Sequence, residues 1–159
     1  MMAHARLLDA LVFCLQCYFL LMSTTVERSY CWSSFEEGDK RFLVQETIDF
    51  CRLHNPLFLA RPQWMRVATC LSAYCFAPCY LFIAFVALTG AWPRYRLRLA
   101  LFLGAKLNAL LFYHVMEFLS DTPPQHLLPY FAVEGPYLLS IATILYRLSH
   151  SQDDKTKLT

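Results

Sequence analysis

The sequence predicts an all-α protein: a bundle of four membrane-crossing helices with a short amphipathic helix in the first loop. Three observations carry this. Hydrophobic residues make up 57% of the 159 and charged residues only 16%, whereas soluble domains carry about a quarter charged. Four apolar runs approach the roughly 20 residues that cross a hydrocarbon core. Only helices satisfy their own backbone in lipid without closing a barrel. At this length one domain is expected, with residues 1–150 forming it and 151–159, SQDDKTKLT, a solvated tail. The net charge of +2 is too small to imply a nucleic-acid partner. The basic residues cluster beside apolar runs, as membrane flanks do.

The first run is Leu7–Val26. Its length, Asp9 near its start and the lack of a small-residue cleavage site argue for a retained helix rather than a signal peptide. The second is Val67–Gly90 and the third Leu97–Leu119. The fourth, Leu127–Leu148, is interrupted in its first half by Pro129, Glu134, Gly135 and Pro136.

Residues 27–66 are too long for a simple turn. Within them Val44, Ile48 and Cys51 recur at helical spacing, with Leu43 and Phe50 widening the stripe. Asn55-Pro56 stops the pattern. The expected element is an amphipathic helix lying on the bilayer or capping the bundle. Trp64, between Arg61 and Arg66, sits where an interfacial anchor belongs.

Lys and Arg in short loops set orientation. Arg94, Arg96 and Arg98 lie between the second and third runs, and Arg147, Lys155 and Lys157 lie at the C-terminal end. The loop between the third and fourth runs has neither Lys nor Arg. Both termini are therefore expected on the cytoplasmic or matrix side. The first loop runs against this rule, with Arg28, Lys40, Arg41, Arg52, Arg61 and Arg66.

Of the seven cysteines, Cys14, Cys17, Cys70, Cys75 and Cys79 fall within apolar runs, where small apolar packing is the expected role. The Cys14-x-x-Cys17 pair lacks the further ligands of a zinc site and the wet, basic surroundings of a redox site. No metal or cofactor is expected. Cys31 and Cys51 share the first loop and could pair if it faces an oxidising lumen.

The segment NPLFLARPQWMRVATCLSAYCFAPCYLFIAFVALTG, residues 55–90, resembles the EXPERA family, and its sigma-2 receptor branch in particular. The similarity runs from Pro56-Leu57, through Pro62-x-Trp64, to Pro78 and Gly90. His114-x-x-Glu117-Phe-Leu-Ser-Asp121 resembles the end of the family's third helix. Glu134-Gly-Pro-Tyr137-Leu-Leu resembles its fourth-helix proline kink, and Tyr18-Phe-Leu20 a piece of its first helix. The resemblance implies a four-helix bundle around an apolar cavity that takes sterols and lipophilic amines, with acidic residues holding a cation or moving a proton. It implies the endoplasmic reticulum; a mitochondrial inner-membrane home is equally compatible with the composition.

The sequence departs from the family's acids. The second-helix acid falls on Ser72, and the late first-helix acid on Tyr30, or on Glu27 if three residues are shifted. Moving a double bond requires a positioned acid and base, and serine supplies neither at neutral pH. No catalytic residue is therefore assigned, and the expectation leans away from an enzyme.

The third run carries Lys106, Asn108, His114 and Glu117. At 100° per residue Lys106, Tyr113 and Glu117 share a stripe with His114 beside it, while Asn108 points almost opposite, one turn after Gly104. A Lys at mid-membrane costs about 2.5–3.5 kcal/mol and seeks an interior partner. Glu134, at the position facing the family's cavity, is the expected partner, as a pair or in a cluster with Tyr113 and Tyr137. The cavity candidates are thus Glu27, Tyr30, Ser72, Lys106, Tyr113, Glu117, Glu134 and Tyr137. The expected function is a non-catalytic accessory subunit of a larger membrane complex, with a lipid-accessible cavity. The alternative is a sterol- or lipid-binding receptor-like protein or a residual isomerase. Expected partners are membrane lipids, sterol among them, and other membrane-protein subunits.

Overall fold

The computed structural model describes residues 2–150; the expected tail, 151–159, lies outside the described residues. Eight helices follow in order: α1 (Met2–Met22), α2 (Arg28–Trp32), α3 (Val44–His54), α4 (Pro56–Ala60), α5 (Gln63–Leu71), α6 (Ala77–Thr89), α7 (Trp92–Phe118) and α8 (Leu127–His150). Two widened π-turns, Ser23–Glu27 and Ser72–Phe76, join α1 to α2 and α5 to α6 without a break. Four continuous helices are therefore long and apolar enough to cross a membrane: His4–Trp32, Gln63–Thr89, Trp92–Phe118 and Leu127–His150. No strand occurs among the described residues. The chain is an all-α, four-span membrane bundle.

Each π-turn has a local cause. In the first, the Thr24 and Thr25 hydroxyls bond back to the carbonyls of Leu20 and Leu21 at 2.6–3.1 Å, which competes with the regular backbone ladder. The second precedes Pro78, whose ring would crowd the carbonyl one turn earlier and which has no N–H to offer it. A wider turn relieves both problems. The first span therefore runs past Val26 to Trp32. The fourth also runs unbroken, with Pro136 inside it. Pro93 opens α7 in its first turn, where a missing N–H costs nothing. Gly90 closes α6 at φ 65°, a left-handed conformation suited to glycine.

The spans form a ring. α1 packs on α6 and α8, and α7 packs on the same two. At one end Asp9 accepts from Trp92 Nε1 at 3.0 Å and from Arg147 Nε and Nη2 at 2.6 and 3.0 Å. This clamp joins the start of the first span, the start of the third and the end of the fourth. That half of the bundle is solid, filled by Val12, Ile83, Val86, Leu99, Leu103 and Ile144 among others. Leu81, Leu97, Leu101 and Leu128 are each at least 60% exposed, as lipid-facing residues should be.

The opposite end is closed by the first loop. α3 buries Val44, Ile48 and Cys51, the stripe read from the sequence, and caps the bundle. Trp64 does not serve as an outward anchor. Its ring packs edge-on against Tyr113 at 5.7 Å between centroids, because α5 begins with that face turned toward α7. Cys31 bonds to Cys70, not to Cys51. Cys31 and Cys70 lie near the adjoining ends of the first two spans, with Cα atoms 5.4 Å apart. Cys51 is instead enclosed beneath α3, where burial and then the nearby Glu117 push its thiol up to about 12.

Three of the six basic residues that run against the orientation rule have local partners. Arg41 grips Asp39 and Ser33, Arg52 lies 3.6 Å from Glu37, and Arg61 donates to the Tyr30 carbonyl. The Arg41 guanidinium holds the Asp39 carboxyl down to about 2. Neither Cys31 nor Cys51 is free to report topology, so exposed positions serve instead. A thiol introduced as Glu37→Cys should be labelled by a membrane-impermeant maleimide from the side opposite to one introduced as Arg96→Cys. Labelling of both from one side refutes this arrangement of the spans.

Candidate functional site

Between the solid half and the α3 cap lies a cavity of about 650 Å³, large enough for a drug-sized or lipid-like ligand. Its wall is mostly apolar and aromatic, with Phe50, Phe58, Trp64, Val67, Leu110 and Phe112 contributing. Six of the eight residues named from the sequence line it: Glu27, Ser72, Lys106, Tyr113, Glu134 and Tyr137.

The two π-turns explain how polar groups gather on one wall. They pack against each other, and each inserts an extra residue that re-aims its side chains. Glu27 ends the first turn and Ser72 begins the second. The Glu27 carboxyl accepts from Ser23 at 2.9 Å and from Tyr137 at 3.3 Å, with Ser72 close by. Ser72 is thus a close neighbour of the acid on the adjoining span. Of the two first-helix candidates, Glu27 reaches the cavity.

Tyr30 does not. The regular turn after Glu27 swings it into a separate aromatic cluster with Leu57 and Met65. There its hydroxyl donates to the Phe58 carbonyl at 2.8 Å and its ring stacks on Phe58. Tyr30 fastens the α4 segment rather than meeting a ligand.

Lys106 is 5% exposed, but it does not form the expected ion pair with Glu134. Its Nζ donates to the Tyr80 hydroxyl at 2.7 Å. It also lies 4.6, 3.9 and 4.7 Å from the ring centroids of Phe19, Tyr80 and Tyr137. Phe19 and Tyr137 stack on each other 4.3 Å apart, so the ammonium sits in an aromatic cage. The Glu27 and Glu134 carboxyl groups lie nearby without closing to an ion pair. The expected cluster therefore includes Tyr137 but not Tyr113. Glu134 lines the cavity and accepts no hydrogen bond among the described residues.

Glu117 is also off the cavity wall. It is fully buried, because the end of α7 packs against the Asn55 turn and the start of α8. It accepts from Asn55 Nδ2 at 2.5 Å and from the Tyr130 hydroxyl, with Tyr113 nearby. His114 Nδ1 lies 2.6 Å from the Tyr130 hydroxyl. With Tyr130 donating to Glu117, the chain His114→Tyr130→Glu117 places the imidazole proton on Nδ1. Nε2 is then a bare acceptor, buried without a partner among the described residues. Asn55 also caps α4. The cluster pins the first-loop cap to the two spans beneath it.

Sequence reasoning missed four participants: Phe19 and Tyr80 in the cage, Asn55 under Glu117, and Asp9 as the clamp acid. Tyr80 carried a signal, since a hydroxyl inside an apolar run needs a partner. Asn55 carried one too, as an N-cap residue ahead of Pro56. Phe19 carried none. No group of His, Cys, Asp and Glu among the described residues could hold a metal ion.

The wall offers two carboxyls, one ammonium and several hydroxyls within an apolar cavity. It can receive a largely apolar molecule and orient a small polar end. Searched against protein-family models, curated proteins and solved structures, the chain matches none.

Proposed function

We propose that this chain is a non-catalytic, EXPERA-like integral membrane protein that holds a membrane lipid, a sterol among the candidates, between its four spans. The observation that carries the reading is the cavity of about 650 Å³, apolar over most of its wall and polar where Glu27, Ser72, Lys106 and Tyr137 meet. An apolar pocket with a few convergent polar groups is a ligand site by default. The lack of catalysis rests on Ser72. A serine hydroxyl is neither a proton donor nor a base at neutral pH, so the acid that the family resemblance implies at that position has no substitute there. The Cys31–Cys70 bond supports placing the first loop in an oxidising compartment. That suits the endoplasmic reticulum lumen that the resemblance implies, and also the space outside a mitochondrial inner membrane.

A second reading, an accessory subunit of a larger complex, is favoured by α7. Gly104 and Asn108 lie one turn apart on its exposed face. A polar amide turned to hydrocarbon is expected to seek a neighbouring helix.

Purification from the native membrane in a gentle detergent tests both. Lipid extracted at about one molecule per chain supports the cavity reading, while a chain free of lipid refutes it. Stoichiometric protein partners support the second reading. A sterol-isomerase-deficient yeast should remain unrescued; clear rescue by this chain ends the non-catalytic reading.

A further inference from the structure

Lys106 is anomalous as a structural residue. A membrane-buried lysine is expected to pair with a carboxylate, yet this one leaves Glu27 and Glu134 at a distance and points its ammonium at three ring faces. Ring faces within about 6 Å of a cation, in a desolvated site, are how proteins bind alkylammonium ligands. Two further features complete such a site. Tyr80 offers a hydroxyl oxygen at 2.7 Å, and the Glu27 and Glu134 carboxyl groups lie nearby. The rings come from three different spans: Phe19 from α1, Tyr80 from α6 and Tyr137 from α8. The cage is therefore built by the bundle, and Lys106 enters it from the remaining span, α7.

We propose that Lys106 is a tethered internal occupant of an alkylammonium site, so that this residue sets the selectivity of the cavity by excluding amines and leaving room only for uncharged lipids. This deepens the lipid-cavity reading and rests on it for the second half. The cage itself stands on its own geometry. An amine entering from the bilayer finds the ring faces covered. A neutral lipid needs only the apolar wall and a hydroxyl-sized polar contact, which Glu134 or Tyr137 can supply.

The experiment vacates the cage. In Lys106→Ala the deleted atoms beyond Cβ correspond to n-propylammonium, the probe used. Binding is measured on the purified full chain in detergent, as a saturable shift in thermal unfolding and by titration calorimetry. Lys106→Ala should bind n-propylammonium at least about tenfold more tightly than the unaltered chain. It should show no such gain for 1-propanol, which is uncharged. Adding Tyr80→Leu to Lys106→Ala should abolish the gain. If Lys106→Ala does not fold by itself, n-propylammonium present during solubilisation should restore a folded chain and 1-propanol should not; failure of that rescue overturns the cage. Equal binding of the amine by the unaltered chain and the variant overturns it as well. Lipid content of the unaltered chain is read separately. Amine binding by the variant without retained lipid removes the lipid reading and leaves the cage intact. Retained lipid without amine binding does the reverse.

Discussion

Arg147→Met should destabilise the protein by about 3–5 kcal/mol, because it leaves the Asp9 carboxylate in a largely closed site without its cation. The pair is close to ideal in form: two parallel N–H···O bonds at 2.6 and 3.0 Å, with both side chains under 20% exposed. Trp92 donates to the same carboxylate and lies 5.7 Å from the guanidinium carbon across its ring. Asp9→Asn alone should cost less, since an amide can still accept from Trp92 and Arg147 can reach the membrane interface. The double variant Asp9→Asn with Arg147→Met should recover much of the loss, because no unpaired charge then remains. Unfolding in graded denaturing detergent, followed by tryptophan fluorescence, measures all three. A double variant no better than Arg147→Met would show that the clamp acts through shape rather than charge.

The sequence exposed some of this molecule and hid the rest for identifiable reasons. Lipid imposes long apolar runs, so the four spans were legible without any partner information. The period of Val44, Ile48 and Cys51 gave α3 because one face of that helix must be buried, whatever buries it. The spans' true ends were harder to see. Ser23 to Glu27 is polar and reads as a helix end, yet hydroxyl back-bonding carries the helix through it as a π-turn. That turn also decides between Glu27 and Tyr30 as the residue facing the cavity, and an ungapped comparison cannot register an inserted residue of this kind. Lys106 was legible as a residue needing an interior environment. Its environment was not, because a cation can be satisfied by carboxylates or by ring faces, and the rings belong to three other spans. Cys31 and Cys70 were assigned to different compartments of the chain, loop and span. The first span's extension to Trp32 brings them level. What periodicity fixes is which face a residue occupies; what it leaves open is the depth at which two faces meet.

Glu117→Leu should cost about 2–4 kcal/mol and should also empty the cavity, because the carboxylate is the shared acceptor for Asn55 and Tyr130. Leucine fits the volume but accepts nothing. The Tyr130 hydroxyl has an alternative, since His114 Nδ1 lies 2.6 Å away and can become the acceptor by moving its proton to Nε2. Asn55 has no such alternative beyond capping Phe58 N through its oxygen at 3.4 Å, so its amide is left as a buried unpaired donor. The loss should therefore fall mainly on the Asn55 turn, which carries the junction of α3 and α4. With that junction loosened, α3 no longer seals the cavity through Phe50 and Cys51, and bound lipid should leave during purification. Hydrogen exchange should rise across Val44–Ala60 while the Asp9–Arg147 end of the bundle stays protected. Cys51, now opened to solvent, should react with a maleimide that does not reach it in the unaltered chain. Glu117→Gln should fall between, because one oxygen remains to accept and the new NH₂ faces a donor. Uniform exchange increases across all four spans, or lipid retained at its original level, would sink the idea that this cluster is the fastening of the cap.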